Sequence, residues 1–252
     1  PNIGFQRWTF RWYSKRVKQF IAISDNVRKR TIDLGCAPDK IKTVHNGIVI
    51  PAAERLQKMH TWRSKNQWPA DAVIIGITGQ MTPTKGSMDL LEAFYQLYQQ
   101  NNQIRLDIGG KKAEPQYSLL QEKIAAYQLQ SVVYFPGWID QVDDFFAEID
   151  VFVLASRHDE GYGLVVAEAL VRQLPVVITA SGGAVEIVDD GINGFIVPKS
   201  DPAALASKLA YVVADAALRQ RMGAAGRNKI STAFNLQHQA LILNEQLASL
   251  IN

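Results

Sequence analysis

The chain has 252 residues, of which 47% are hydrophobic and 20% charged, so it can form a packed core and lacks the composition of a disordered protein. No apolar run reaches the ~18 residues that a membrane-spanning helix needs, and the first residues lack the layout of a signal peptide. The single cysteine, Cys36, rules out an intramolecular disulfide, and the four histidines show no metal-ligand spacing. We therefore expect a cytoplasmic protein without a metal site.

The net charge of +3 is unevenly distributed along the chain. Residues 1–50 hold ten Lys or Arg against three Asp, whereas residues 51–252 hold 17 basic residues against 21 acidic residues. The first basic residues are interleaved with the aromatic residues Trp8, Phe10, Trp12 and Tyr13. This pattern is typical of contact with an anionic membrane or with nucleic acid, or of a solvated helix whose aromatic residues dock on a neighbouring domain. We favour the docked helix. Contact with the cytoplasmic face of a membrane stays open, and no nucleic-acid partner is expected.

The first 50 residues predict two short strands with a helix between them. The strands are residues 20–24 (FIAIS) and residues 41–47 (IKTVHNG), the second closed by an Asn-Gly turn. Ser24 or Asp25 is a suitable N-cap for the helix. We interpret residues 1–50 as the tail of an α/β domain of which most lies outside this sequence.

From residue 71 onward, apolar strand-like runs alternate with helical patterns. Strands are predicted at Val73–Thr78, 105–109, 132–137, 151–156, 174–179 and Gly194–Val197, and helices at 88–100, 117–129, 142–149, 164–172 and 201–213, with two more in 216–252 broken near 234–235. Apolar strands separated by helices indicate a parallel sheet covered on both faces. The predicted fold class is α/β, a Rossmann-like doubly wound parallel sheet at residues 71–232. Residues 51–70 would connect the two domains, and residues 233–252 would form a helix that packs back towards the first domain.

The segment EGYGLVVAE, from Glu160 to Glu168, follows one predicted strand. Gly161 and Gly163 allow a tight turn, and the helix starting near Leu164 would point its free N–H groups at the strand ends, which suits a diphosphate. The two glutamates could then meet a sugar and a ribose on either side of the phosphates. The alternative is that the glycines only form a tight loop and that Glu168 is a surface residue of the helix.

Two more strand ends carry glycine-bearing loops. Lys85, in TPTKG after Val73–Thr78, could neutralise the same diphosphate or be an ordinary loop lysine. Gly182 and Gly183, in SGGAVEIV with Glu186, could offer N–H groups to an anion or a sugar hydroxyl. Because ligands of such sheets bind at the carboxyl ends of the strands, we expect the three loops to converge.

From about Phe20 to the C-terminus the chain resembles the fourth family of retaining glycosyltransferases, which have the GT-B fold. The motifs that carry the resemblance are IAIS, VHNGI, TPTKG, LDIGG, VYFPGWID, EGYGLVVAE, GGAVEIV, DGINGFIVP and DPAALA, in that order. The resemblance implies two Rossmann-like domains facing across a cleft. The C-terminal domain would bind a UDP- or GDP-sugar, and a hexose would pass to a glycan or lipid-linked glycan with retention and without a metal or cofactor. Polysaccharide or lipopolysaccharide biosynthesis is the expected setting.

The resemblance also implies roles for individual residues. Glu168 would bond the ribose hydroxyls, Glu160 the transferred sugar, and the backbone near Ile139 the base, while Lys85 would be the counter-charge of the phosphates. The donor-binding residues are then Gly79, Gln80, Lys85, Ile139, Glu160, Gly161, Tyr162, Gly163, Leu164 and Glu168, and the catalytic ones are Glu160 and Lys85.

Two departures from the family pattern bear on activity. Gln80 stands where family members usually carry Arg, and a neutral amide cannot form a charged fork with phosphate. We expect most of the N-terminal domain, which would bring the acceptor site, to lie outside this sequence. A non-catalytic nucleotide-sugar-binding module that needs a separate N-terminal partner therefore remains an alternative. A GT-B epimerase or phosphorylase is disfavoured by the EGYGLVVAE segment. The donor base, the sugar, the acceptor and the oligomeric state stay undecided.

Overall fold

The computed structural model describes residues 10–52, 57 and 59–250. The N-terminal segment holds a helix whose described part is residues 10–14 (α1), strand β1 (Phe20–Ala22), helix α2 (Asp25–Asp33) and strand β2 (Ile41–Thr43). The two strands pair in parallel as a separate two-stranded sheet. Ser24 is the N-cap of α2, because its side chain accepts a hydrogen bond from the backbone N–H of Val27.

The main sheet confirms the predicted fold class. Its six strands are β3 (Val73–Thr78), β4 (Ile104–Gly109), β5 (Val133–Gly137), β6 (Val151–Leu154), β7 (Val176–Thr179) and β8 (Gly194–Val197). All neighbours are parallel, in the order β5-β4-β3-β6-β7-β8. Every residue of β4, β6 and β7 is buried, which explains why these strands are nearly continuous apolar runs.

Helices cover the two faces of this sheet. They are α3 (Thr61–Lys65), α4 (Ser87–Tyr98), α5 (Gln116–Ala126), α6 (Val142–Glu148), α7 (Leu164–Val171), α8 (Pro202–Ala214) and α9 (Ala216–Ala233), and a last helix, α10 (Leu236–Ala248), follows them in the chain. One buried cluster joins the sheet to α4, α5 and α8, and the other joins it to α6, α7 and α9. Since β3 lies between β4 and β6, the strand order reverses beside β3, and a crevice opens there at the carboxyl ends of the strands.

Some predicted boundaries are wrong, for local reasons. The predicted helix 117–129 ends at Ala126, because Gln128 has a φ of 58° and turns the chain out of the helix. The predicted strand 41–47 ends at Thr43, and Asn46-Gly47 does not form a turn. A Cβ on Gly47 would lie 2.5 Å from the Cα of Leu236, so glycine at this position permits close approach to α10.

The second half of the predicted connection, residues 51–70, packs on the main sheet. The guanidinium of Arg63 in α3 lies 2.7 Å from the carboxylate of Asp150, and the indole N–H of Trp68 donates to the carbonyl of Ser131 at 2.9 Å. Trp68 is 8% exposed and belongs to one of the two main clusters. This part of the segment is therefore structurally continuous with the main domain.

The last helix contacts the N-terminal segment. Asn235 separates α9 from α10, as the sequence predicts, and its side chain accepts from the N–H of His238 at 2.8 Å. The N–H of Leu236 donates to the carbonyl of Ile48 at 3.0 Å, and the N–H of Ile48 donates to the carbonyl of Phe234 at 2.8 Å. Among the helices of the described residues, none has the length and apolarity needed to cross a membrane.

Candidate functional site

A cavity of about 800 Å³ lies at the carboxyl ends of β3, β4 and β6, within the range of small-molecule sites. Nine of the ten predicted donor-binding residues line it: Gly79, Gln80, Lys85, Ile139, Glu160, Gly161, Tyr162, Gly163 and Leu164. Lys111, Trp138 and Val165 are also in the lining, as is Ile23 from the N-terminal segment. The loops after β3 and β6 therefore converge, and the loop after β4 joins them.

The wall formed by the loop after β6 depends on Gly163. Its φ is 89°, and a Cβ there would lie 2.8 Å from the Cβ of Ala184, so only glycine fits without displacing its neighbours. Helix α7 begins immediately afterwards, and no side chain of the described residues caps it. The first N–H groups of a helix lack partners within the helix and carry partial positive charge, and Leu164 and Val165 line the cavity at this end.

Lys85 and Glu160 meet inside the cavity although they lie on different loops. The Nζ of Lys85 is 2.7 Å from Oε1 of Glu160, and the hydroxyl of Ser156 also donates to Oε1. Within the described part of the chain, Oε2 of Glu160 makes no hydrogen bond. Lys85 ends a short 3-10 turn, Pro83–Lys85, which is tied to the loop after β6, because the N–H of Arg157 donates to the carbonyl of Thr84 at 2.8 Å.

Gly86 determines how close this turn approaches β6. It has a φ of 71°, and a Cβ there would lie 1.8 Å from the carbonyl oxygen of Ala155. Any larger residue would push the turn, and Lys85 with it, away from Glu160. Beneath the turn lies a recess of about 40 Å³, lined by Gln80, Met81 and Lys85 among others, which opens beside the main cavity.

The far end of the cavity is more apolar. Ile139 lines it together with Val142 and Trp138, and the Trp138 side chain is 70% exposed. The indole N–H of Trp138 donates to the carboxylate of Asp140 at 2.9 Å. A flat, exposed ring held by one hydrogen bond offers a surface for an aromatic base.

Two of the predicted residues sit differently from the rest. Glu168 lies one turn of α7 beyond Leu164, is half-buried and is not in the cavity lining. Burial raises the pKa of its carboxyl, Arg172 opposes that rise, and Asp143 adds to it.

Tyr162 lines the cavity, but only 2% of it is exposed, and its ring lies 5.9 Å from that of His45. Burial also raises the pKa of the Tyr162 phenol, so the ring anchors the loop and stays neutral.

The expected role of the third loop is wrong. The N–H of Gly183 donates to the carbonyl of Glu160 at 2.9 Å. Neither glycine lines the cavity, and the N–H of Gly183 is used inside the protein. The loop supports the backbone around Glu160 and does not offer its own donors to a ligand.

Glu186 of this loop turns to the N-terminal segment. Its carboxylate accepts from the N–H groups of Asp25 at 3.0 Å and Asn26 at 2.8 Å, at the start of α2, and lies 3.0 Å from Nε2 of His45. Asp25, His45 and Glu186 can each direct one ligand atom within 4.8 Å of the others, a cluster that their sequence spacing hides. Both oxygens of Glu186 already accept backbone N–H groups, so helix capping accounts for the arrangement.

The basic-aromatic segment near the N-terminus is partly docked. Arg7 and Trp8 lie outside the described residues. Phe10 packs against Phe20 of the same N-terminal segment, with ring centroids 5.5 Å apart, so docking on a neighbouring domain stays a prediction. Trp12 and Tyr13, in contrast, are 52% and 58% exposed.

Comparison with known proteins shows which family the chain resembles. The family model described as "Glycosyl transferases group 1" matches residues 58–229, and that described as "Glycosyltransferase Family 4" matches residues 2–50. The capsular polysaccharide biosynthesis glycosyltransferase CapM of Staphylococcus aureus is 28% identical over 92% of this chain and 60% of its own length. A D-inositol 3-phosphate glycosyltransferase of Streptomyces scabiei is 32% identical over 75% of this chain and 44% of its own length.

Solved structures share the fold at low sequence identity. HepE of Anabaena, solved in complex with UDP, aligns with a TM-score of 0.84 at 22% identity, over 92% of this chain and 64% of that protein. A glycosyltransferase of Rickettsia africae aligns with a TM-score of 0.86 at 23% identity, over all of this chain and 68% of that protein. The chain thus spans about 60% of the length of relatives such as CapM. Because one family model covers residues 58–229, which are more than half of the chain and include the cavity-lining loops of the main sheet, the chain belongs to the glycosyl transferases group 1 family.

Proposed function

We propose that the chain is the donor-binding part of a retaining glycosyltransferase, which transfers a hexose from a UDP- or GDP-sugar to a glycan or lipid-linked glycan. The observation that carries the proposal is the ion pair of Lys85 and Glu160 beside the uncapped start of α7, where the strand order reverses. The relatives support it, since their names are those of glycosyltransferases and HepE was solved with UDP.

In the proposed complex the donor diphosphate lies at the start of α7. The N–H groups of Gly163 and Leu164 would bond phosphate oxygens, and Lys85 would neutralise their charge. Oε2 of Glu160 would accept from a hydroxyl of the hexose, because Oε1 is occupied by Lys85 and Ser156. The base would lie towards Ile139 and Trp138, and the ribose towards Glu168.

The proposed reaction breaks the bond between the anomeric carbon and the diphosphate. The bonding electrons leave with the nucleoside diphosphate, whose growing negative charge is stabilised by Lys85 and the start of α7. The acceptor hydroxyl bonds to the anomeric carbon from the same face, and its proton passes to the leaving phosphate oxygen. The configuration is retained, and no protein base or metal ion is required in this account.

Isothermal titration of the chain with UDP and GDP tests donor binding. We expect one of the two to bind, with nucleotide affinity reduced by Glu168→Ala. Glu160→Ala should not reduce plain nucleotide affinity, and it should remove the extra affinity that the sugar of the donor contributes. Failure of the wild-type chain to bind any nucleoside diphosphate would overturn the proposal. Equal losses of plain nucleotide affinity in both variants would contradict the assigned roles.

The anomeric configuration of the transferred sugar tests retention. Proton NMR of an early product should show the same anomer as the donor, and the inverted anomer would refute this part of the proposal. Nucleotide-sugar binding without any transfer or donor hydrolysis would instead favour a non-catalytic binding module. Addition of EDTA should leave turnover unchanged.

A lipid-linked acceptor would place the protein at a membrane surface. Exposed Trp12 and Tyr13 lie among Arg11, Lys15 and Arg16, a combination that suits an anionic lipid interface. Co-sedimentation with vesicles containing phosphatidylglycerol should exceed that with neutral vesicles and should fall with salt. Equal sedimentation with both kinds of vesicle would remove the membrane from the proposal.

A further inference from the structure

We propose that Lys111 supplies the second positive charge for the donor diphosphate, which Gln80 cannot supply. This inference rests on the proposed function, because it concerns the phosphates of the same donor. A bound nucleoside diphosphate brings at least two negative charges into the cavity. Lys85 meets them already paired with Glu160 at 2.7 Å, and Gln80 is neutral.

The geometry places Lys111 beside Gln80. The N–H of Met81, the residue after Gln80, donates to the carbonyl of Lys111 at 3.0 Å. The N–H of Gly79 donates to the carbonyl of Gly109 at 3.2 Å. The loops after β3 and β4 therefore continue side by side beyond the ends of their strands. Both Gln80 and Lys111 line the cavity.

Gly110 makes this close approach feasible. Its φ is 114°, and a Cβ there would lie 1.9 Å from the carbonyl oxygen of Gly79. Glycine is thus required for the loop after β4 to reach the loop after β3. The consequence is that the side chain of the next residue, Lys111, starts at the cavity wall.

Lys111 is also available to bind a ligand. Lys85 and Lys111 are the basic residues in the described lining of the cavity. Lys111 is exposed, and no side-chain hydrogen bond or ion pair joins it to another residue in the part of the chain that the structure describes. Its neighbour Lys112, in contrast, donates to the hydroxyl of Tyr117 at 2.8 Å and lies over that ring.

Other nearby cations are engaged elsewhere. Arg157 follows β6 but forms a two-bond pair with Asp89, with distances of 2.8 and 2.6 Å, and it is not in the cavity lining. A fork of this kind is among the stronger ion pairs, so Arg157 is held away from the donor. Lys111 is left as the cation that can move freely onto a phosphate.

The test compares Lys111→Gln with Lys112→Gln by titration with UDP and with uridine, or with GDP and guanosine if the wild type binds GDP more tightly. Lys111→Gln should weaken diphosphate binding by roughly five- to tenfold and leave nucleoside binding unchanged, because only the phosphates carry charge. Lys112→Gln should change neither. In the Lys111→Gln background, Gln80→Arg should restore most of the lost affinity.

The results distinguish failure of the Lys111 inference from failure of the proposed function. If the wild type binds UDP and Lys111→Gln binds it equally well, Lys111 is not the second cation, while the donor-site assignment stands. If Lys111→Gln weakens nucleoside and diphosphate equally, its effect is structural and the inference fails. If the wild type binds no nucleoside diphosphate, the proposed function fails, and this inference fails with it.

Discussion

The ammonium group of Lys85 lies 2.7 Å from the carboxylate of Glu160, so the two charged residues at the centre of the cavity partly neutralise each other. Their side chains are 40% and 20% exposed, which keeps the pair in a partly aqueous environment. A donor diphosphate must therefore compete with Glu160 for the same lysine. This competition predicts that substitutions of Lys85 and of Glu160 change the affinity for UDP in opposite directions.

Glu160→Gln should strengthen UDP binding while abolishing the advantage of a UDP-sugar over UDP. The amide keeps the shape but removes the competing charge, and the expected gain is about two- to fivefold, as for partly exposed ion pairs. Lys85→Gln should weaken UDP binding, since it removes the counter-charge. Calorimetric titrations of the two variants provide the measurement, and a weaker UDP affinity in Glu160→Gln would show that the carboxylate itself contributes to nucleotide binding.

Glu168 should make nucleotide binding dependent on pH. Burial raises the pKa of its carboxyl, so in the folded protein it takes up a proton at a higher pH than an ordinary glutamate. The ionised form, which would accept the ribose hydroxyls in the proposed complex, is present above that raised pKa and is lost as the pH falls through it. UDP affinity should therefore drop on acidification before ordinary glutamates titrate.

The control for this dependence is Glu168→Gln measured at the same pH values. The phosphate of UDP also titrates near pH ~6, and its contribution is common to both proteins. The difference between wild type and variant should shrink towards zero as the pH falls. A 2′,3′-dideoxy analogue should show no such difference at any pH, and a difference as large as that for UDP would disprove the ribose contact.

Gly86→Ala should both destabilise the protein and impair the cavity. A positive φ alone costs a non-glycine residue about 1–2 kcal/mol, and at Gly86 the added Cβ would also lie 1.8 Å from the carbonyl oxygen of Ala155. Gly137 has a φ of 83° with no atom within 4 Å of such a Cβ, so Gly137→Ala is the matched control. Urea denaturation should show the larger loss for Gly86→Ala, and titration should show weaker UDP binding. Equal losses of stability would mean that the loop moves aside without cost.

Glu186→Gln should loosen the N-terminal segment from the main domain. The carboxylate accepts the first N–H groups of α2 at 3.0 and 2.8 Å, and it interacts with the positive end of that helix. Loss of the charge should lower the free energy of unfolding by about 1–2 kcal/mol. Hydrogen exchange in Asp25–Asp33 should become faster, while the exposed Glu122→Gln on α5 should leave it unchanged. Unaltered exchange in Glu186→Gln would show that Ser24 alone caps the helix.

Local sequence signals were sufficient to predict the strands, the main glycine turn and several helix caps of this protein. Apolar runs such as Val73–Thr78 predict buried parallel strands, because a strand covered on both faces needs apolar side chains throughout. The glycines of EGYGLVVAE predict a tight turn into a helix, and Gly163 at a φ of 89° is such a turn. Asp201 and Asn235 likewise cap helices α8 and α10 through hydrogen bonds to residues three positions ahead, a range that the sequence itself contains.

What only the tertiary structure decided is which loops are neighbours. The strand order places β3 between β4 and β6, so the loop bearing Gln80 and Lys85 lies between the loops bearing Lys111 and Glu160. The rule that ligands bind at the carboxyl ends of parallel strands predicts that the Lys85 and Glu160 loops converge, but it does not predict that Lys111 lies beside Gln80, because that adjacency depends on non-local strand pairing. For the same reason the loop of Gly182 and Gly183 was expected to meet the ligand, whereas the N–H of Gly183 bonds the carbonyl of Glu160 and Glu186 lies at the start of α2. The sequence determined which residue types stand at the strand ends, and the packing of the sheet determined which of them meet.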